Sequence, residues 1–112
     1  MSIDNGPHDL SHIFSRCEKL VQERHLEPVE SAQRDGKPAL ARNGAVFASL
    51  IDSDTIALDC PVEQKALLVE ISPEIYFETA DTEDEPALFV RLSKIDDQEL
   101  SLRLEDAWSE RG

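Results

Sequence analysis

The dipeptide Asn43-Gly44 lies between two short runs, 39–42 and 45–50, that read as β-strands. A type I′ turn needs positive φ at both central residues, and Asn followed by Gly tolerates this best. The spacing therefore predicts a β-hairpin, with Val46, Ala48 and Leu50 on one face of its second strand and Phe47 on the other. Asp52-Ser53-Asp54 makes a second polar turn, and residues 55–59 read as the next strand. Three strands in sequence make an antiparallel meander.

Helical periodicity brackets this sheet. Leu10, Ile13, Phe14, Cys17, Leu20 and Val21 recur at a 3.6-residue period, which predicts a helix over 7–25. Pro7 suits its first turn and Asp9 its positive start, while Pro28 disfavours helical geometry at Glu27. His25, near the helix end, complements the dipole there. Pro61 opens a shorter helix carrying Val62, Ala66 and Val69 on one face, halted by Ser72-Pro73. Two more strands are expected at 75–79 and 87–93, separated by an acidic loop over 80–86. The last helix has Asp96 as N-cap with Glu99 at the N3 position, as in a capping box. Leu100, Leu104, Ala107 and Trp108 form its core face, and Glu99 stands i, i+4 from Arg103 for an ion pair. The expected architecture is a single α+β domain over 1–112. It has two layers in the order α-βββ-α-ββ-α, with three helices on a five-stranded, mainly antiparallel sheet. No repeat or linker interrupts it.

Composition sets limits on partners. The chain has 112 residues, 40% of them apolar, which is enough for a core despite a net charge of −13. The longest apolar run, 45–51, falls far short of the roughly 20 residues a spanning helix needs. Asp4 and Asp9 stand where a secretory leader would carry bases. No membrane association is expected, and a cytoplasmic location is. Residues 1–42 hold seven acids against six bases, whereas residues 43–112 hold 17 against five. Such a field opposes phosphate backbones unless a local basic patch survives within it.

Few constellations carry chemistry. His8-Asp9-Leu10-Ser11-His12 approximates the HExxH zinc motif, since two His at i, i+4 share a helix face. Asp in place of Glu shortens the reach to a bound water, and no third ligand can be assigned. Cys17 and Cys60 lack CxxC or CxxH spacing and read as free thiols, Cys17 in the apolar stripe of the first helix. Asp52-Ser53-Asp54 starts like an EF-hand loop, but Ile56 and Ala57 occupy the fifth and sixth positions, where an oxygen ligand and Gly belong. The Asp81–Glu85 segment offers at most opportunistic cation binding. No Walker loop, GxGxxG or GxSxG is present, so no catalytic residue, cofactor or resident metal is expected. Phosphate contacts, if made, fall to Arg34, Lys37 and Arg42 near the first strands and to Arg91 and Lys94 near the last. With Trp108 and Phe14 on core faces, the aromatics left for base stacking are Tyr76, Phe77 and Phe47.

Several segments together are similar to the MmcQ/YjbR-like family. They are Leu26-Glu27-Pro28-Val29-Glu30, Gly36-Lys37-Pro38-Ala39, Asn43-Gly44-Ala45-Val46-Phe47-Ala48, Leu58-Asp59-Cys60-Pro61, Val90-Arg91-Leu92, Glu99-Leu100 and Glu105-Asp106-Ala107-Trp108. The resemblance runs from the first helix to the C-terminus and rests on order and spacing more than on one motif. It implies a secretion-chaperone-like α+β fold and a DNA-binding role. The chain departs from the pattern at Gln33-Arg34-Asp35, where relatives often carry an aromatic, and at Asp59, where they often carry Lys. It departs again at Asp84-Glu85-Pro86-Ala87, where an aromatic commonly lies. Acids thus replace basic and stacking groups. The expected function is non-enzymatic nucleic-acid binding through Arg34, Lys37, Arg42, Arg91 and Lys94. The alternative is a protein-interaction module for a basic or disordered partner, and a remote one is a hydrolase using a metal at His8 and His12. Either binding module would be a monomer or a homodimer.

Overall fold

Asn43 and Gly44 both adopt left-handed backbone, at φ 54° and 85°, as a type I′ turn requires. The computed structural model describes residues 6–80 and 85–111, with side chains from residue 12 onward. Along the chain run α1 (Gly6–Glu23), β1 (Glu30–Arg34), β2 (Lys37–Arg42), β3 (Ala45–Asp52) and β4 (Thr55–Asp59). Then come α2 (Val62–Ile71), β5 (Tyr76–Phe77), β6 (Ala87–Arg91) and α3 (Asp97–Glu110). The fold is α+β, with three helices and an open antiparallel sheet in the order β1-β2-β3-β4-β6-β5.

The sheet has six strands, not five. The additional one is β1, joined to β2 by Asp35-Gly36, a second pair with positive φ at 56° and 77°. Strand β5 is confined to two residues, shorter than the expected 75–79. A bulge between β2 and β3 corrects the predicted alternation: Leu40 pairs with Ala48 and Ala41 with Val46, so Phe47 is the extra residue. Bulging turns its ring inward, and Phe47 joins Ala48 and Leu50 in the core.

One core cluster fills the space between sheet and helices. Leu50, Ile56, Leu58, Leu88, Val90 and Tyr76 supply its sheet side. Phe14, Cys17, Leu20 and Val21 of α1 and Leu100, Leu104 and Ala107 of α3 meet them. Burying a Leu- or Phe-sized side chain contributes roughly 1.5–3 kcal/mol each. Helix α1 ends in a Schellman motif: His25 at φ 59° donates its N–H to Gln22, and Leu26 donates to Val21. His25 therefore closes the helix through its backbone, in a place Gly usually takes. Asp96 caps α3 by accepting from the Glu99 N–H at 2.8 Å. Only half of a capping box forms, because the Glu99 carboxylate accepts instead from the Tyr76 hydroxyl. Arg103 pairs with Asp106 at 3.5 Å and not with Glu99.

Helix α2 departs most from its sequence pattern. Val62 is exposed, as is Ala66, while Lys65 is only 1% exposed. The Lys65 ammonium donates to the Glu85 carbonyl at 2.6 Å and pairs with Glu78 at 3.1 Å. Leu68 and Val69 pack on the core, and Gln64 donates to Asp106 of α3, so α2 lies on the same side of the sheet as α1 and α3. Among the described residues, no helix is long and apolar enough to cross a membrane.

Candidate functional site

With the helices on one side, the other face of the sheet carries the alternate residues of each strand. Ala32, Ala39, Ser49, Ala57, Phe89 and Phe77 are successive cross-strand partners, forming one row over all six strands. Ala39 and Ser49 are buried in this row, whereas Ala57, Phe89 and Phe77 are half-buried. The two phenyl rings lie tilted with centroids 5.4 Å apart.

Two residues further along the strands, toward one end of the sheet, the same face presents bases. Arg34 and Lys37 are direct partners across β1 and β2, and Arg91 of β6 is opposite Thr55 of β4. The Arg91 guanidinium rests over the Phe77 ring, 4.2 Å from its centroid. Lys94 is exposed in the loop after β6, where its N–H donates to the Arg91 carbonyl. Lys37 and Arg91 stand three strand spacings apart, about 14 Å at ~4.8 Å per strand. Acids share this end: Asp52 accepts from the Asp54 N–H, and the Asp54 carboxylate holds the Ser93 N–H at 2.7 Å and its hydroxyl at 3.0 Å. Asp52 and Asp54 therefore form an ordered turn whose oxygens hold backbone and Ser93.

Arg42 is separated from this group. Its guanidinium lies 3.6 Å from the centroid of the Trp108 ring and donates to the Trp108 carbonyl at 3.0 Å. It thus closes the C-terminus of α3 and stacks on the indole, whose N–H donates to Pro28. Of the aromatics expected to stack bases, Tyr76 and Phe47 are fully buried and only Phe77 reaches the open face. Phe89 joins it there. Its alternation with buried Leu88 and Val90 in the last strand was the signal that could have found it.

Arg16, Arg24, Lys65, Arg103 and Arg111 are in ion pairs, and Arg42 is held by Trp108. Among the described residues, the other cations without an ion pair are Lys19 on α1 together with Arg34, Lys37, Arg91 and Lys94. Asp59 pairs with Arg111. Burial raises its carboxyl above the ordinary value, opposed by the hydrogen bond from Arg111 and by the charges of Arg111 and Arg34.

Neither thiol is suited to chemistry as folded. Cys17 and Cys60 are free and buried, and burial pushes them up to about 12 and about 11. The side chain of His8 and residues 81–84 of the acidic loop lie outside the described residues. Among the described residues, no group of three or more His, Cys, Asp or Glu converges on a metal position. No family model, no curated protein and no solved structure matches this chain.

Proposed function

We propose that the chain is a non-enzymatic binding module of the MmcQ/YjbR-like kind that contacts nucleic acid through the helix-free face of its sheet. One observation carries this reading. The cations left without an ion pair gather, Lys19 and Arg42 apart, at one end of that face, with Phe77 and Phe89 beside them. Arg34, Lys37, Arg91 and Lys94 supply phosphate contacts, and the two rings supply a platform for unstacked bases, which favours single strands over duplex. Arg42 has no part in it, because its guanidinium is engaged with Trp108. The family part of the proposal rests on the order of the residue segments, together with the three-helix, antiparallel-sheet layout they accompany.

Fluorescence anisotropy with labelled single-stranded and duplex DNA tests the reading. Three to four phosphate contacts to a single strand give a log–log salt slope of about −2 to −3, at roughly −0.7 per contact. Binding should be weakened by Lys37→Glu and Arg91→Glu and be indifferent to Lys19→Glu. Absence of binding to either DNA at low salt refutes it. A protein partner is the second reading, favoured by the net charge of −13 and by a groove on the opposite side of the sheet.

A further inference from the structure

On the helix-bearing side, α1 covers β2 and β3 but stops short of β1. The space beyond it is a cavity of about 430 Å³, within the roughly 300–1,000 Å³ of ordinary ligand pockets. Val21, Leu26 and Leu40 supply its apolar surface, Ser31 of β1 forms one side, and Glu18 and Glu27 stand at its rim. No Lys or Arg lines it, and His25 is the remaining titratable group there. Alongside the cavity runs β1, the end strand of the sheet, with no neighbour beyond it among the described residues. Alternate N–H and C=O groups of an end strand point outward and are a template for another chain.

We propose that this groove and the free edge of β1 together bind an extended peptide segment of a partner protein, one that sets apolar and basic residues by turns at every second position, on the side that faces α1. Its backbone adds a seventh strand beside β1. The alternate side chains facing α1 enter the cavity against Val21, Leu26 and Leu40, and a Lys or Arg meets Glu18 and Glu27. Strand addition of this kind draws affinity from main-chain hydrogen bonds and specificity from pockets for alternate side chains. Charge complementarity selects the occupant: two carboxylates and no base at the rim disfavour an acidic peptide. The inference goes beyond nucleic-acid binding and uses the opposite side of the sheet, so either can fail alone.

The test is fluorescence polarisation with a short labelled valine–lysine peptide that carries the two residues by turns at every second position, with serine between them. Three comparisons accompany it: the same peptide N-methylated at alternate backbone nitrogens, the same peptide with glutamate in place of lysine, and the Glu18→Lys/Glu27→Lys protein. Both substituted positions lie outside the core. Binding by the first peptide, weakened at least about tenfold in each comparison, is the expected result. Equal binding of the N-methylated peptide, which keeps the charge but cannot pair, overturns the proposal in favour of unspecific attraction to an acidic protein. Failure of the valine–lysine peptide to bind also overturns it. So does a peptide-free dimer by light scattering whose Ser31 and Gln33 amides resist hydrogen exchange, because the edge would then belong to a second copy.

Discussion

Arg16 joins the first helix to the segment that leads into the last. Its Nε donates to Asp97 at 2.6 Å, Nη1 to the Leu92 carbonyl at 2.7 Å and Nη2 to the Ile95 carbonyl at 2.6 Å. Asp97 is two-thirds exposed, so that ion pair contributes little, under about 1 kcal/mol. The two carbonyls are another matter, because hydrogen bonds from a charged donor are worth roughly 1.5–3 kcal/mol each and these acceptors are partly buried. Allowing for solvent reaching the one-third-exposed guanidinium, Arg16→Met should cost about 2–3 kcal/mol, while Asp97→Asn should cost less than about 1. At roughly 4–8 °C per kcal/mol for a chain near this size, the Arg16 variant should melt about 10–20 °C lower. Urea unfolding followed by the fluorescence of Trp108, the one tryptophan of the chain, gives both values. An Arg16→Met variant within about 0.5 kcal/mol of the parent, or an Asp97→Asn variant that loses as much as Arg16→Met, would refute this division. The second result would mean that the ion pair, and not the grip on two carbonyls, holds the helices together.

Two further predictions concern turns and thiols. Gly44→Ala should cost about 1–2 kcal/mol through backbone conformation alone, since φ is 85° and an added Cβ meets nothing within 4 Å; Gly36→Ala, at φ 77° with equally open space, should match it. A neutral result in urea unfolding would deny that the left-handed backbone sets the cost. Because burial raises both thiols from 9.0, to about 11 for Cys60 and about 12 for Cys17, the unfolded chain loses their protons first. Stability should therefore fall as pH rises above about 9, by up to ~1.4 kcal/mol per pH unit for each thiol, and Cys60→Ala should remove one thiol's share. An unchanged urea midpoint from pH 8 to 10.5 would contradict this.

The two hairpin turns mark the limit of what periodicity reveals. Asn43-Gly44 was legible because the strands around it alternate. Asp35-Gly36 has the same turn chemistry, yet Glu30–Arg34 is an end strand exposed on both sides apart from half-buried Ala32. Without a buried face there is no two-residue pattern to read. The bulge at Phe47 left no trace either, since an inserted residue looks like any other strand residue. On α2 two members of the expected apolar stripe, Val62 and Ala66, point outward while Val69 packs on the core, and Lys65 points inward, because Glu78 and the Glu85 carbonyl, distant along the chain, satisfy its ammonium. The candidate interface was legible to a similar degree. Arg34, Lys37, Arg91 and Lys94 come to one end of one face, while Arg42 goes to Trp108, a partner 66 residues away. Local spacing carries no information about which cations a fold will occupy.

The clamp at Arg16 also constrains how the chain can be made. Its acceptors lie 76 to 81 residues downstream, and the inner face of the sheet is closed by helices from opposite ends of the strand order. During synthesis all six strands leave the ribosome before α3 does, so Leu50, Ile56, Leu58 and Val90 lack half of their cover until the last helix emerges. Non-local closure of this kind is slow, and the interval leaves an apolar sheet surface open to wrong partners. A nascent chain stalled before Asp97 should accordingly depend on chaperones for solubility, whereas the finished chain need not.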